Sequence, residues 1–250
     1  MHAPPPRRHS VRTAALFGAS GGIGAAIASA LLAQDDFETL YAGRRTPVPV
    51  ADSRVHSFAF DLADEQTIAA AAATIAQAGT PLDLVFVATG ILHDGSGAGP
   101  EKSFRGIDPS HMAAVLHANL IGPALIAKHM LPLLPRGQRS VFAALSARVG
   151  SIGDNRLGGW HSYRASKAGL NMLIRNFSIE MAARAPHSVI VGLHPGTVDS
   201  ALSRPFQRNV RPEKLFSPEQ SAGYLLDVLD RLNPADSGGL FAWDGARIPF

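Results

Sequence analysis

Tyr163 and Lys167 stand four positions apart in the segment HSYRASKAGLN, residues 161–171. In a helix that spacing sets both side chains on one face. A phenol with an ordinary pKa of about 10 is a poor acid or base near neutrality. A nearby ammonium favours the phenolate, so the two together make a proton-transfer device, and the lysine can also hydrogen-bond a ribose. Taken alone, a tyrosine and a lysine at this spacing are ordinary packing. A second pattern earlier in the chain supplies the context.

That pattern is ALFGASGGIGAAIA, in which Gly18, Gly22 and Gly24 separate a short apolar run from a helical one. Glycines there let the chain take left-handed or crowded conformations and bring backbone N–H groups up to a pyrophosphate. The N-terminus of the following helix adds a favourable dipole. The spacing reads GxxxGxG rather than GxGxxG, and no Gly-Lys-Ser/Thr follows, which argues against a Walker loop.

Arg44 and Arg45 follow about 20 residues after Gly24, just beyond the expected second strand. An acidic residue in this region would accept a bond from a ribose 2′-hydroxyl and select NAD. Arginine pairs instead with a 2′-phosphate through charge-assisted bonds, so NADP is the expected cofactor and NAD the alternative. By themselves the two arginines are an ordinary solvated pair. Asp61 and Leu62 can hold an adenine edge, and Asp61 can equally cap the next helix.

His117, His161 and His194 invite a catalytic or metal reading, but no HExxH or dense carboxylate cluster accompanies them. They are expected to be satisfied core or surface histidines, with no metal site. Trp160 lies beside the tyrosine motif and either lines a substrate opening or packs.

These groups need strands that end at one edge and helices that start there. Apolar runs place strands at 14–17, 38–42, 55–59, 82–88, 139–145, 188–193 and 239–243. Helices are expected over 22–33, 64–77, 109–131, 162–184 and 218–232, the third ended by Pro132. Strands alternating with helices describe a Rossmann-type, doubly wound, mostly parallel α/β sheet. The chain of 250 residues suits one domain over 13–250, after a flexible extension, rich in proline and basic residues, over 1–12.

Composition narrows the chemistry. There is no cysteine, so disulfides and thiolate metal sites are excluded and redox work must use a bound cofactor. The net charge of +3 is small and its basic residues are scattered, which argues against nucleic acid. No uninterrupted apolar span of membrane length is expected, and the N-terminus lacks the apolar core of a signal peptide. A cytoplasmic location fits these features.

The whole pattern from about Ala14 onward resembles the short-chain dehydrogenase/reductase family, and RVGSIGDNRLGGWHSYRASKAGLN is similar to its branch of C-factor-like signalling proteins. The resemblance implies a seven-stranded parallel sheet and a homodimer or homotetramer. It gives Gly18, Ser20, Ile23 and Gly24 cofactor contacts, Arg44 the NADP-favouring position, and Asp61 with Leu62 the adenine side. Tyr163 becomes the catalytic acid/base, and Lys167 the group that lowers its pKa and holds the ribose. Asn119, in HANLIGP, would keep a water in the proton relay, while Pro195, Gly196 and Thr197 would line the nicotinamide.

Two departures stand out. The usual serine pair reads Ser146-Ala147, so Ala147 occupies the position of the substrate-orienting serine, leaving Ser146, 17 positions before Tyr163, as the candidate hydroxyl and Ser151 as a weaker one. The strand end VATG, 87–90, lacks the family's asparagines, although Gly90 can still pass close to a ribose. The implied activity is NADPH-linked reversible reduction of a carbonyl to an alcohol, with residues 198–217 as a variable substrate loop. The alternatives are a cofactor-binding signalling or regulatory protein with little turnover, and a structural homo-oligomer.

Overall fold

The computed structural model describes residues 12–93 and 99–250. Residues 1–11 of the expected extension, and Gly95 and Gly97 of the loop after the fourth strand, lie outside the described residues. Arg12, assigned to the extension from sequence, already belongs to the first strand.

The chain alternates β1 (Arg12–Phe17), α1 (Gly22–Leu32), β2 (Phe37–Arg44), β3 (Val55–Ala59), α2 (Glu65–Ala78) and β4 (Leu84–Val87). Then come α3 (Pro109–Leu116), α4 (Gly122–Met130), β5 (Ser140–Leu145), α5 (His161–Arg184) and β6 (Ser188–His194). The last part holds β7 (Thr197–Val198), β8 (Leu215–Phe216), α6 (Pro218–Arg231), β9 (Leu240–Ala242) and β10 (Arg247–Ile248).

The main sheet runs β10-β9-β6-β5-β4-β1-β2-β3. Seven strands are parallel, as expected; the eighth, β10, pairs antiparallel with β9. β7 and β8 form a separate ribbon. Strands this short, two residues each in β7, β8 and β10, carry no periodic signal, and the sequence gives no sign of them.

The central strands β1, β4, β5 and β6 are apolar almost throughout because both faces of the sheet are covered there. Ala14 and Leu16 of β1 enter the core beneath α1 and α6, while Ala15 and Phe17 point into the core beneath α2, α4 and α5. Leu84 and Phe86 alternate in the same way with Val85 and Val87.

Two local readings change. β2, expected over 38–42, does not end before Gly43 but runs on through Arg44. A side chain at Gly43 would begin 2.5 Å from the Phe58 ring, so glycine there makes room for the neighbouring strand rather than ending its own. The cap of α2 is Asp64, whose carboxylate accepts the N–H of Gln66; Asp61 instead accepts the N–H of Ala63 and shapes the turn before it.

The helix expected over 109–131 is interrupted by a π-helical turn, His117–Ile121. The whole segment Pro109–Leu133 is nonetheless long and apolar enough, by length and composition, to cross a membrane, contrary to the sequence reading. In the fold it is a packed helix: Ile126, Ala127 and Met130 are fully buried against the sheet.

β1 has β2 on one side and β4 on the other, and the chain reverses its winding direction there. A sheet of this kind opens a crevice where the order reverses, above the carboxyl ends of the strands.

Candidate active site

Three connected hollows run along that edge: a groove of about 530 Å³ over β1, β2 and β3, a middle section of about 260 Å³, and a pocket of about 350 Å³ on the far side. Gly21, Thr89 and Gly90 line both the groove and the middle section; Ser146, Tyr163 and Pro195 line both the middle section and the pocket.

The groove starts at the turn from β1 into α1. Gly18 sits at φ 98°, and its N–H and that of Ala19 both donate to the Gly43 carbonyl, at 3.1 and 3.0 Å. Any side chain at Gly24 would lie 2.1 Å from the Gly18 carbonyl oxygen, so the first turn of α1 closes directly over the loop. Gly21 is the cap of α1, with no side chain bonded to the free N–H groups and no acidic residue in the first turn. An anion is the natural partner of such an end. Gly22 and Ile23 face the middle section, and Ser20 is exposed on the groove.

Arg44, Arg45, Asp61 and Leu62 line the outer end of the groove. Arg45 is exposed, whereas Arg44 is partly buried and its Nε is sealed from solvent with no partner among the described residues. His117 bonds the Leu62 carbonyl through Nε2, at 2.8 Å, and so is satisfied as expected. Thr89 Oγ1 is also buried without a partner among the described residues. These unpaired groups fit a nucleotide that would bring acceptors and donors to them.

In the middle section the residues expected to handle protons come together. Asn119, fully buried in the π turn, uses both ends of its amide on one residue: Oδ1 accepts the Ile91 N–H and Nδ2 donates to the Ile91 carbonyl, each at 2.8 Å. Nδ2 also reaches Ser166 Oγ at 3.1 Å, and Ser166 donates to the Tyr163 carbonyl at 2.8 Å. The asparagine expected in a water relay thus ties the loop after β4 to α5. Such π turns often mark functional sites. A Cβ at Gly90 would stand 3.1 Å from Asn119 Oδ1 and 3.5 Å from Lys167 Nζ, so the loop after β4 passes close to both.

Tyr163 and Lys167 lie on one face of α5, as their spacing requires, with Lys167 Nζ 5.7 Å from the phenol ring centre. Lys167 donates to the Leu145 carbonyl at 2.8 Å. Burial pushes its pKa down to about 7 and that of Tyr163 up to about 12. The expected lowering of the phenol by the lysine is therefore not found in this arrangement. Desolvation disfavours each charged form, the phenolate and the ammonium, and dominates both groups.

The hydroxyl of Ser146 is committed: it donates to Asn171 Oδ1 at 2.7 Å in the interior. Ala147 follows it and lines the pocket with a methyl group. Ser151 is buried, and its Oγ accepts the N–H of Asp154 at 3.1 Å. Neither serine offers an uncommitted hydroxyl beside Tyr163.

On the other wall, the Pro195 carbonyl accepts the Ser221 hydroxyl at 2.9 Å, and Gly196, at φ 77°, leaves room for Phe216. Thr197 pairs in β7 with Leu215, and Val198 with Phe216. The loop 198–217 is thus fastened at its base, and its 3-10 helix Arg204–Asn209 carries Phe206 over the pocket.

Phe206 lies 5.1 Å from the Trp160 ring, which stands edge-on to Tyr163 at 6.2 Å. Trp160 therefore lines the pocket, one of the two roles its position allowed. Its backbone sits at φ 51°, after Gly158 and Gly159 at 63° and 65°. The Trp160 N–H donates to the Glu101 carbonyl at 2.5 Å, and the Glu101 carboxylate accepts the Ser162 hydroxyl. Sequence reasoning missed Phe206, Glu101 and Asn171; only the Gly-Gly pair before Trp160 hinted at a special turn.

A parallel sheet with a glycine turn at its switch point, and a Tyr/Lys helix facing it, defines a dinucleotide-dependent oxidoreductase. Residues 12–211 match the short chain dehydrogenase family, and the chain belongs to it. It is 35% identical to the C-signal protein of Myxococcus xanthus over 144 residues, 58% of this chain and 81% of that one. It is 32% identical to the 1-hydroxy-2-glutathionyl-2-methyl-3-butene dehydrogenase of a Rhodococcus species, covering 75% of this chain and 77% of that one. Among solved structures, the NADPH-bound carbonyl reductase from chicken fatty liver superposes with a TM-score of 0.82 at 26% identity, over 96% of this chain and 95% of that one.

Proposed function

We propose that this oxidoreductase reduces a carbonyl to an alcohol with NADPH, with Tyr163 as the proton donor. The observation that carries the reading is the position of Tyr163, which borders both the nucleotide side of the crevice and the pocket beyond it. A bound nicotinamide supplies the hydride; everything else is done by the chain.

The glycine turn and the start of α1 bind the pyrophosphate. Arg44, with its unpaired Nε, and the exposed Arg45 bind a 2′-phosphate, which favours NADP over NAD. Lys167 holds a ribose hydroxyl, and Asn119 fixes the backbone at Ile91 so that Gly90 passes beside that lysine. Pro195, Gly196 and Thr197 form the wall opposite Tyr163.

Burial keeps the Tyr163 phenol protonated, so it carries the proton that the more basic alkoxide takes up after hydride transfer. The largely apolar pocket under Trp160 and Phe206 takes the carbonyl compound and excludes water. The carbonyl reductase named above supports this reading by its structural likeness.

Titration calorimetry with NADPH and NADH, followed by absorbance assays over a panel of aldehydes and ketones, tests it. Tighter NADPH binding and NADPH oxidation by the unsubstituted protein, lost in Tyr163→Phe, are the expected results. Tight NADPH binding without turnover of any carbonyl would favour the regulatory reading, which the likeness to the C-signal protein keeps in view.

A further inference from the structure

The substrate pocket is lined by a buried polar group that no hydrogen bond among the described residues uses. His194 ends β6 and lines the pocket together with Tyr163 and Ala147. Its Nδ1 is sealed from solvent and has no hydrogen-bond partner among the described residues, so it is not the satisfied histidine that the sequence led us to expect. A buried nitrogen without a partner is costly, and such groups in native folds call for an explanation.

The strand register explains why the ring lies where it does. β5 and β6 pair in parallel with Leu145 opposite Leu193, and the Ser146 N–H donates to the Leu193 carbonyl at 2.8 Å. His194 therefore falls beside Ser146 at the carboxyl edge of the sheet. Ser146 turns its hydroxyl to Asn171, and Ala147 has none to offer. Ser203, on the opposite wall, is bonded to the Val198 carbonyl. Thr197 and Ser200 line the pocket as well, but at the joined ends of β5 and β6 Ser146 and Ala147 leave no free hydroxyl beside His194, whose Nδ1 has no partner among the described residues.

Reduction of a carbonyl places negative charge on its oxygen, and a second donor aimed at that oxygen lowers the barrier. We infer that His194 is that second donor, hydrogen-bonding the substrate oxygen through a ring N–H in the role a hydroxyl at position 147 would fill. The inference rests on the carbonyl reductase reading. As hydride from the reduced dinucleotide forms the new C–H bond, the carbonyl π pair moves onto oxygen. The proton of Tyr163 completes the O–H bond, and solvent then reprotonates the phenolate. His194 keeps its own proton throughout. Burial, reinforced by Arg148 and opposed by Asp244, holds the imidazole pKa down at about 4, so the ring is neutral and leaves the acid role to Tyr163.

The test compares His194→Gln, which keeps an N–H donor, with His194→Leu, of similar bulk without one, using a carbonyl that the unsubstituted protein reduces. His194→Leu is expected to lower kcat by roughly 100-fold with the NADPH Kd unchanged, in line with the loss of one donor to a developing oxyanion. His194→Gln should retain most of kcat. Adding Ala147→Ser should restore kcat more in the His194→Leu background than in the unsubstituted protein.

Equal kcat in the Gln and Leu variants overturns the assignment, as does a gain from Ala147→Ser of the same size in both backgrounds. Either result leaves NADPH-dependent turnover by the unsubstituted protein intact. Absence of that turnover across the carbonyl panel overturns the reductase reading itself, and this assignment with it.

Discussion

The nucleotide groove and the substrate pocket share one sheet edge but are made differently. The groove is mainly backbone: the Gly18 turn, the uncapped start of α1 and the loop after β4, which is held by Asn119. The pocket is mainly side chain, with Trp160, Phe206, His194 and Ala147 brought in from separate segments. A backbone site has few solutions and so leaves a pattern of glycines. A side-chain wall has many, and leaves almost none.

Tyr163 stands where the two parts meet, so its substitution separates them most sharply. Tyr163→Phe should cut kcat by about 100- to 10,000-fold, the range for losing a positioned general acid. NADPH binding by calorimetry should stay within about 2-fold. Loss of NADPH binding along with turnover would show that the phenol belongs to the groove rather than to the boundary.

Acid exposes a second contrast, one of stability. His194 titrates at about 4 when folded, against an ordinary value of 6.5. Between these values the unfolded chain binds more protons than the folded one, so stability is lost as pH falls from 6.5 towards 4. The full difference is on the order of 3 kcal/mol. In urea titrations His194→Leu should lack that part of the acid loss, and an unchanged slope between pH 6.5 and 4 would contradict it. Lys167 acts in another window. Its folded value of about 7 lies below the ordinary 10.5, so the cost of the buried ammonium is fully present below pH 7 and lifts as pH rises towards 10.5.

Arg44 probes the groove alone. Removing a charge-assisted bond to a 2′-phosphate costs about 1.5–3 kcal/mol, so Arg44→Ala should weaken NADPH binding by roughly 10- to 100-fold and leave NADH nearly unchanged. Equal weakening of both would mean that Arg44 supports the groove without reading the phosphate.

What could be read from sequence follows the same division. Five helices and seven strands came from apolar runs and their breaks, because burial on both sheet faces leaves little freedom in composition. Gly18, Gly24, Tyr163 and Lys167 were legible through spacing. Asn119 carried a role only by resemblance; nothing local marks a π turn, and its double bond to Ile91 joins residues 28 positions apart. The limit of β2 was misread because Gly43 yields space to Phe58, a long-range demand that looks locally like a strand end. His194 was misjudged for a related reason. Whether a histidine is satisfied depends on what lies beside it in β5 and on the pocket, neither of which its neighbours in sequence specify.

The smallest effect concerns the pocket wall itself. Trp160 has a left-handed backbone, φ 51°, a conformation that costs a residue other than glycine on the order of 1 kcal/mol or more. Glycine carries no such cost. Trp160→Gly and Trp160→Ala remove the same ring contacts with Phe206 and Tyr163, so the difference between them isolates the backbone. The glycine variant should be more stable in urea by about 1 kcal/mol, while both variants raise KM for the carbonyl to a similar degree. Equal stability would mean that the turn carries no strain at Trp160. A KM unchanged in both would remove the indole from the substrate wall, and with it the view that this half of the site is built from side chains.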